Sequence, residues 1–114
     1  MQFFVVYIRE AHALDGRAPM GGNGSPIVEE PVTLRERRAV ANLCMTRLAL
    51  EPIPALVDRM DNAVDEAWAA APDRLYLVGR DGRVAYRGGP GPFGFKPDEL
   101  EAAIRRELGL DPRP

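Results

Sequence analysis

"FFVVYI", Phe3 to Ile8, is a run of six strand-forming residues that does not alternate with polar ones. A strand with one wet face alternates apolar and polar side chains. An unbroken run reads instead as a strand covered on both faces, the usual state of parallel strands inside α/β proteins. The run therefore predicts a sheet with helices packed on it. Directly after it comes "REAHALDG", Arg9 to Gly16, which contains Glu10 and the single histidine of the chain, His12. In open α/β sheets ligands bind at the carboxyl ends of the strands, and that is where these two residues fall.

The rest of the chain supplies the covering elements. Leu14 to Pro31 holds four glycines and three prolines, which makes it a long Gly/Pro loop. Thr33 and Glu36 have the spacing of a capping box, and Leu34, Val40, Ala41, Leu43, Cys44, Met45 and Leu48 form a broad apolar face at helical spacing. A helix is expected over about residues 34–50, stopped by Pro52 and Pro54. "ALVD", Ala55 to Asp58, reads as a short strand. Asn62 is placed to cap a short helix that carries Val64, Ala67 and Trp68, with Trp68 in the core and Pro72 as the stop. "RLYLVGRDGRVAYRGG" puts two β-rich runs around Asp81 and Gly82, the composition of a hairpin turn. After the Gly/Pro loop "GGPGPFGF", Pro97 opens a last helix with Asp98 and Glu99 in its first turn, Leu100, Ala103, Ile104 and Leu108 facing inward, and Gly109 ending it. Residues 110–114 read as a frayed tail.

This order, with a parallel α/β part followed by a hairpin and a helix, matches the C-terminal portion of a thioredoxin-like mixed sheet with flanking helices. At 114 residues it is expected to form one partial domain. A net charge of −2 gives no electrostatic reason to expect nucleic acid or anionic lipid as a partner. Phe3 to Ile8 is far shorter than the ~20 apolar residues needed to span a bilayer. With Cys44 as the only cysteine, no intramolecular disulfide or cysteine-based metal cluster is expected, and a reducing cytoplasm is the default location.

From residue types alone two readings of His12 stand side by side. It is either a loop histidine satisfied by solvent, or, with Glu10 fixing its tautomer, part of a proton relay or hydrogen-bonding anchor. Cys44 is a poor nucleophile on paper, since it lies mid-helix on the apolar side, away from a helix N-terminus. Pro72 by itself reads as a helix stop with a trans bond. Arg74 could face an acidic substrate or a transition-state charge, but an arginine at a strand start reads first as a solvated or paired surface group. The glycines of "GGPGP" lack the Gly-Lys-Ser/Thr ending of a phosphate loop and read as a tight turn.

Three segments together resemble the iodothyronine deiodinase family: "VYIREAHALDG" (Val6 to Gly16), "IPALVDRMDNAVDEAWAAAPDRLYLV" (Ile53 to Val78), and "GRVAYRGGPGPFGF" (Gly82 to Phe95) leading into the last helix. The family's Tyr-Ile-x-Glu-Ala-His-x-x-Asp-Gly, Val-Asp-x-Met-x-Asn, Pro-Glu-Arg-Leu-Tyr and Tyr-x-Gly-Gly-x-Gly-Pro patterns occur here in that order, with Asp73 replacing the glutamate. The resemblance runs through loops, where fold alone dictates little.

It implies a thioredoxin-like fold and reductive dehalogenation or related thiol and selenol chemistry, with His12 binding substrate and supporting catalysis beside Glu10. Pro72 falls where such folds place a cis-proline next to the nucleophile. The resemblance also implies a bacterial-type homologue truncated at its N-terminus. The family's selenocysteine or cysteine lies one βα unit ahead of the strand that opens this chain, as if a UGA codon had been read as a stop and Met1 were the next start. No bound cofactor is expected. The expected partners are a small halogenated aromatic or peroxide substrate and an external thiol reductant, and unpaired strands would let two copies associate as a homodimer. Three further positions depart from the family: its second histidine falls at Pro31, a basic loop residue at Pro90, and the tryptophan after Asp-Gly at Arg17. The redox class is thus implied more firmly than the iodothyronine substrate. A peroxiredoxin-like redoxin and a non-catalytic thioredoxin-like binding module are the rival readings.

Overall fold

The structure is a computed structural model that describes residues 1–10 and 30–111. The expected Gly/Pro loop over 14–31, Arg17, His12 and the last three residues of the expected frayed tail fall wholly or mostly outside the described residues. The chain divides into two compact units, Met1–Ala70 and Ala71–Pro114.

The first unit contains β1 (Val5–Tyr7), α1 (Leu34–Arg47), β2 (Ala55–Val57) and α2 (Ala63–Trp68). β1 and β2 pair in parallel, with Val5 opposite Ala55, Val6 opposite Leu56 and Tyr7 opposite Val57. α1 packs on β2 and buries Ala41 and Met45. Its N-terminus forms as the spacing predicts. The Thr33 hydroxyl accepts the Glu36 N–H at 3.1 Å, and the Glu36 carboxylate reaches back to the Val32 N–H at 2.9 Å.

α1 ends at Arg47 rather than near Leu50, so Pro52 and Pro54 do not stop it. Ala49 turns left-handed at φ 55°, and the Leu50 N–H closes back on the Met45 carbonyl at 2.8 Å, which terminates the helix before either proline is reached.

The expectation that β1 is covered on both faces fails. Val6 is 39% exposed, and Leu56, its partner on the same face, is 53% exposed. A strand-helix-strand unit lays its helix on one face of the ladder, and among the described residues of this unit no element covers the other. Trp68 was expected in the core and is 38% exposed. The short helix that bears it ends at Ala69, whose φ of 49° turns the chain three residues before Pro72.

The second unit holds β3 (Tyr76–Val78), β4 (Val84–Arg87) and α3 (Pro97–Glu107). β3 and β4 form the expected antiparallel hairpin, with Leu77 opposite Tyr86 and a bulge at Leu77 and Val78. Gly82 takes φ 79°, which a residue with a Cβ adopts only at a cost, while the Asp81 side chain accepts the Arg83 N–H at 3.0 Å. α3 begins at Pro97, carries Asp98 and Glu99 in its first turn and Arg105 and Arg106 in its last, and packs on both strands through the buried Ala103. Leu108, expected to face inward, is exposed.

The four strands thus form a mixed α/β structure as two separate two-stranded ladders, one parallel and one antiparallel, among the described residues. No helix among these residues is long and apolar enough to cross a membrane.

Candidate functional site

The candidate site lies at the carboxyl ends of β1 and β2 in the first unit. Alternation along β1 puts Tyr7 on the face shared with α1, and the chain turns beyond Ile8 so that Glu10 comes back to it. The Tyr7 hydroxyl donates a hydrogen bond to the Glu10 carboxylate. Burial pushes the Tyr7 phenol well above its ordinary range, and the hydrogen bond to Glu10 and the negative charges of Glu10 and Glu30 push it further. Tyr7 is therefore held as a neutral phenol whose hydroxyl is a hydrogen-bond donor.

Cys44, half-buried on α1, is the third member of this group. Burial and the negative charge of Glu10 raise its thiol, and a hydrogen bond with Tyr7 opposes them without cancelling the rise. A thiol held in its protonated form is a weak nucleophile. The structure thus gives Cys44 a protonated thiol beside the Tyr7 hydroxyl.

Beneath this pair lies a buried polar network that anchors the end of β2. Asp58 is only 1% exposed, and its N–H donates to the Tyr7 carbonyl at 2.8 Å, extending the ladder by one bond. Its carboxylate accepts three backbone N–H groups, from Arg59 at 2.8 Å, Val64 at 3.0 Å and Asp65 at 2.9 Å. Burial alone would raise this carboxyl, but the three N–H bonds and the Arg37 charge outweigh it and hold the group below the usual carboxylate range.

Arg37, 2% exposed on the inner stripe of α1, donates to the Arg59 carbonyl at 2.7 Å, the Asp58 carbonyl at 3.4 Å and the Asn62 side chain at 3.0 Å. Asn62 thus serves Arg37 and makes no side-chain cap to α2, contrary to expectation. Its backbone is left-handed at φ 59°, which aims its side chain away from the helix amides, and Asp58 caps the helix in its place. The circuit closes through Arg9. Its guanidinium Nε lies 2.8 Å from the carboxylate of the buried Asp65.

Of the residues singled out from sequence, Glu10 stands beside Tyr7, while His12 lies outside the described residues. Pro72 belongs to the second unit, where the Ala71–Pro72 peptide is cis. The Gly91–Pro92 peptide is also cis. Arg74 Nε donates to the Gly88 carbonyl at 2.8 Å and ties the strand start to the "GGPGP" turn. That turn is closed on itself, because a Cβ on Gly94 would stand 2.3 Å from the Gly89 backbone. Sequence reasoning missed Tyr7, Arg37, Asp58 and Asp65. The available signal was the phenol three residues before Glu10 and an arginine four residues before Ala41 on an apolar stripe.

The iodothyronine deiodinase family model matches residues 1–108. The chain is 31% identical over 105 residues to a type I iodothyronine deiodinase of Xenopus laevis, covering 92% of this chain and 39% of that protein. It is 38% identical over 102 residues to a thyroxine 5-deiodinase of Sparus aurata, covering 86% and 35%. It is 34% identical over 108 residues to a type II iodothyronine deiodinase of Rattus norvegicus, covering 93% and 40%. The chain spans two fifths or less of the length of these relatives. With nearly its whole length matched, the chain belongs to the iodothyronine deiodinase family.

Proposed function

We propose that this chain is the substrate-binding and proton-handling part of a thioredoxin-like oxidoreductase that removes halogen from an aromatic ring with a selenol or thiol nucleophile. The observation that carries the reading is the Tyr7–Glu10 hydrogen bond at the carboxyl end of β1, inside the segment that the family model covers. A selenol attacks the halogen, the carbon–halogen bond breaks, and the electron pair left on the ring carbon takes a proton. The nucleophile becomes a selenenyl or sulfenyl halide. Two equivalents of an external thiol then restore it, leaving a disulfide and a hydrogen halide.

A neutral phenol hydrogen-bonded to a carboxyl group is suited to orienting a phenolic substrate and to relaying that proton, with a proton taken up at Glu10 reaching the Tyr7 oxygen as the hydroxyl gives up its own, and His12 two residues further on is the second binding group. In this reading Cys44, half-buried and with a raised thiol, is not the attacking group. The nucleophile in this reading is a selenocysteine or cysteine encoded about one βα unit, roughly 30 residues, ahead of Met1.

The test is to express the reading frame that includes the upstream βα unit and incubate it with an iodinated phenol and dithiothreitol. Iodide release that depends on the upstream selenocysteine or cysteine supports the proposal. Consumption of hydrogen peroxide without iodide release would assign the chain to peroxiredoxin-like chemistry instead, and the absence of any upstream frame encoding a strand, turn and helix would remove the nucleophile from the account.

A further inference from the structure

Glu10 sits in a turn beyond the last ladder residue of β1, so the ladder alone does not fix where its carboxylate points. What holds that turn is a ring of contacts. The Tyr7 carbonyl accepts the Asp58 N–H at 2.8 Å, the Asp58 carboxylate accepts the Asp65 N–H at 2.9 Å, and the Asp65 carboxylate meets Arg9 Nε at 2.8 Å. Arg9 directly precedes Glu10, which bonds back to Tyr7. Asp65 is 4% exposed, whereas the Arg9 side chain is more than half exposed. A buried carboxylate in the first turn of α2 therefore meets a largely exposed arginine at the exit of β1.

We propose that Arg9 and Asp65 are a positioning pair that sets the Glu10 carboxylate against the Tyr7 hydroxyl, and that neither of them touches the substrate. The inference rests on the proposed proton-handling role of Tyr7 and Glu10, and it deepens that role by naming what aims the pair. A pair kept only for stability would connect β1 to α2 without altering the Tyr7–Glu10 bond. A positioning pair is read at the Tyr7 hydroxyl itself. Among the described residues, the charged groups that raise that hydroxyl are Glu10 beyond β1 and Glu30 ahead of α1, and the Cys44 thiol on α1 is hydrogen-bonded to it. Losing Glu10 from its place removes both its hydrogen bond and the nearest charge.

The experiment follows Tyr7 by NMR in the full chain labelled with [13Cζ]tyrosine, its resonance assigned by its loss in Y7F. At pH 10.5 an ordinary tyrosine, with a pKa near ~10, is mostly phenolate, and wild-type Tyr7 is expected to remain a phenol. R9Q, D65N and the double variant R9Q/D65N, which leaves no unpaired buried charge, are expected to lower the Tyr7 midpoint by about one pH unit or more. R9K, which keeps the charge, restores most of the wild-type behaviour. An unchanged Tyr7 midpoint in folded R9Q and R9Q/D65N would overturn the proposal, and R9Q alone decides it if D65N does not fold.

A second arm measures iodide release by the protein that includes the upstream unit. There R9Q is expected to lower kcat at least tenfold with little change in KM, and R9K to recover it. The NMR arm needs no turnover, so a protein that releases no iodide defeats the dehalogenase reading while leaving the positioning of Glu10 to be decided by Tyr7.

Discussion

The Asp58 carboxylate accepts the backbone N–H of Asp65 at 2.9 Å, so α2 is capped from the end of a strand seven residues upstream. The same carboxylate takes the Val64 and Arg59 N–H groups and faces the buried Arg37. One side chain thus joins β2, α1 and α2 below the candidate site.

Asp58→Ala leaves three N–H groups and Arg37 without their shared acceptor, and the expected loss of stability is about 3 kcal/mol, measured by urea unfolding. The acid dependence follows from the lowered Asp58 carboxyl. Its folded pKa lies below the unfolded value of ~3.9, so its contribution is complete above that value and is lost as pH falls through the folded pKa. Asp58→Asn should therefore be less stable than wild type at pH 7 and should lose less stability than wild type as pH falls below about 4.

Ala49 and Ala69 end their helices at φ 55° and 49°, where a Cβ is strained. Ala49→Gly should raise stability by roughly 0.5–1 kcal/mol with no change in the contacts of the folded chain. The unfolding midpoint should rise accordingly. A lower midpoint would mean that the Ala49 methyl contributes packing that outweighs the relief.

Cys44 should alkylate slowly. Burial and the Glu10 charge hold its thiol protonated, so at pH 7.5 its rate with iodoacetamide should fall below that of free cysteine, and Glu10→Gln should raise it. A folded-state rate equal to that of the urea-unfolded chain would contradict this environment.

Features that depend on neighbouring residues were readable from sequence. The Thr33 and Glu36 cap, the Asp81-Gly82 turn and the Pro97 start of α3 are each decided within a few residues, and each formed where its residues predicted. Features set by packing were not. Arg37 is buried against the usual preference of arginine because its guanidinium finds backbone carbonyls and Asn62 more than twenty residues away. For the same reason Asn62, a good cap by residue type, was drawn away from capping, and Asp58, which sits at a strand end, took over that role. The segment Val57 to Asn62 therefore has a structural meaning here: Asp58 and Asn62 hold the floor of the candidate site. Glu10 was legible as a candidate, but its partner was not. Tyr7 read as a strand residue, and only the turn after Ile8 brings Glu10 back to its hydroxyl.

The most direct test of the account is the dependence of dehalogenation on that pair. With an iodinated phenol and dithiothreitol, the protein that includes the upstream unit should release iodide, and Tyr7→Phe and Glu10→Gln should each lower kcat by about 10²-fold or more, the usual contribution of a positioned proton-transfer group. Iodide release at the wild-type rate in both variants would contradict it.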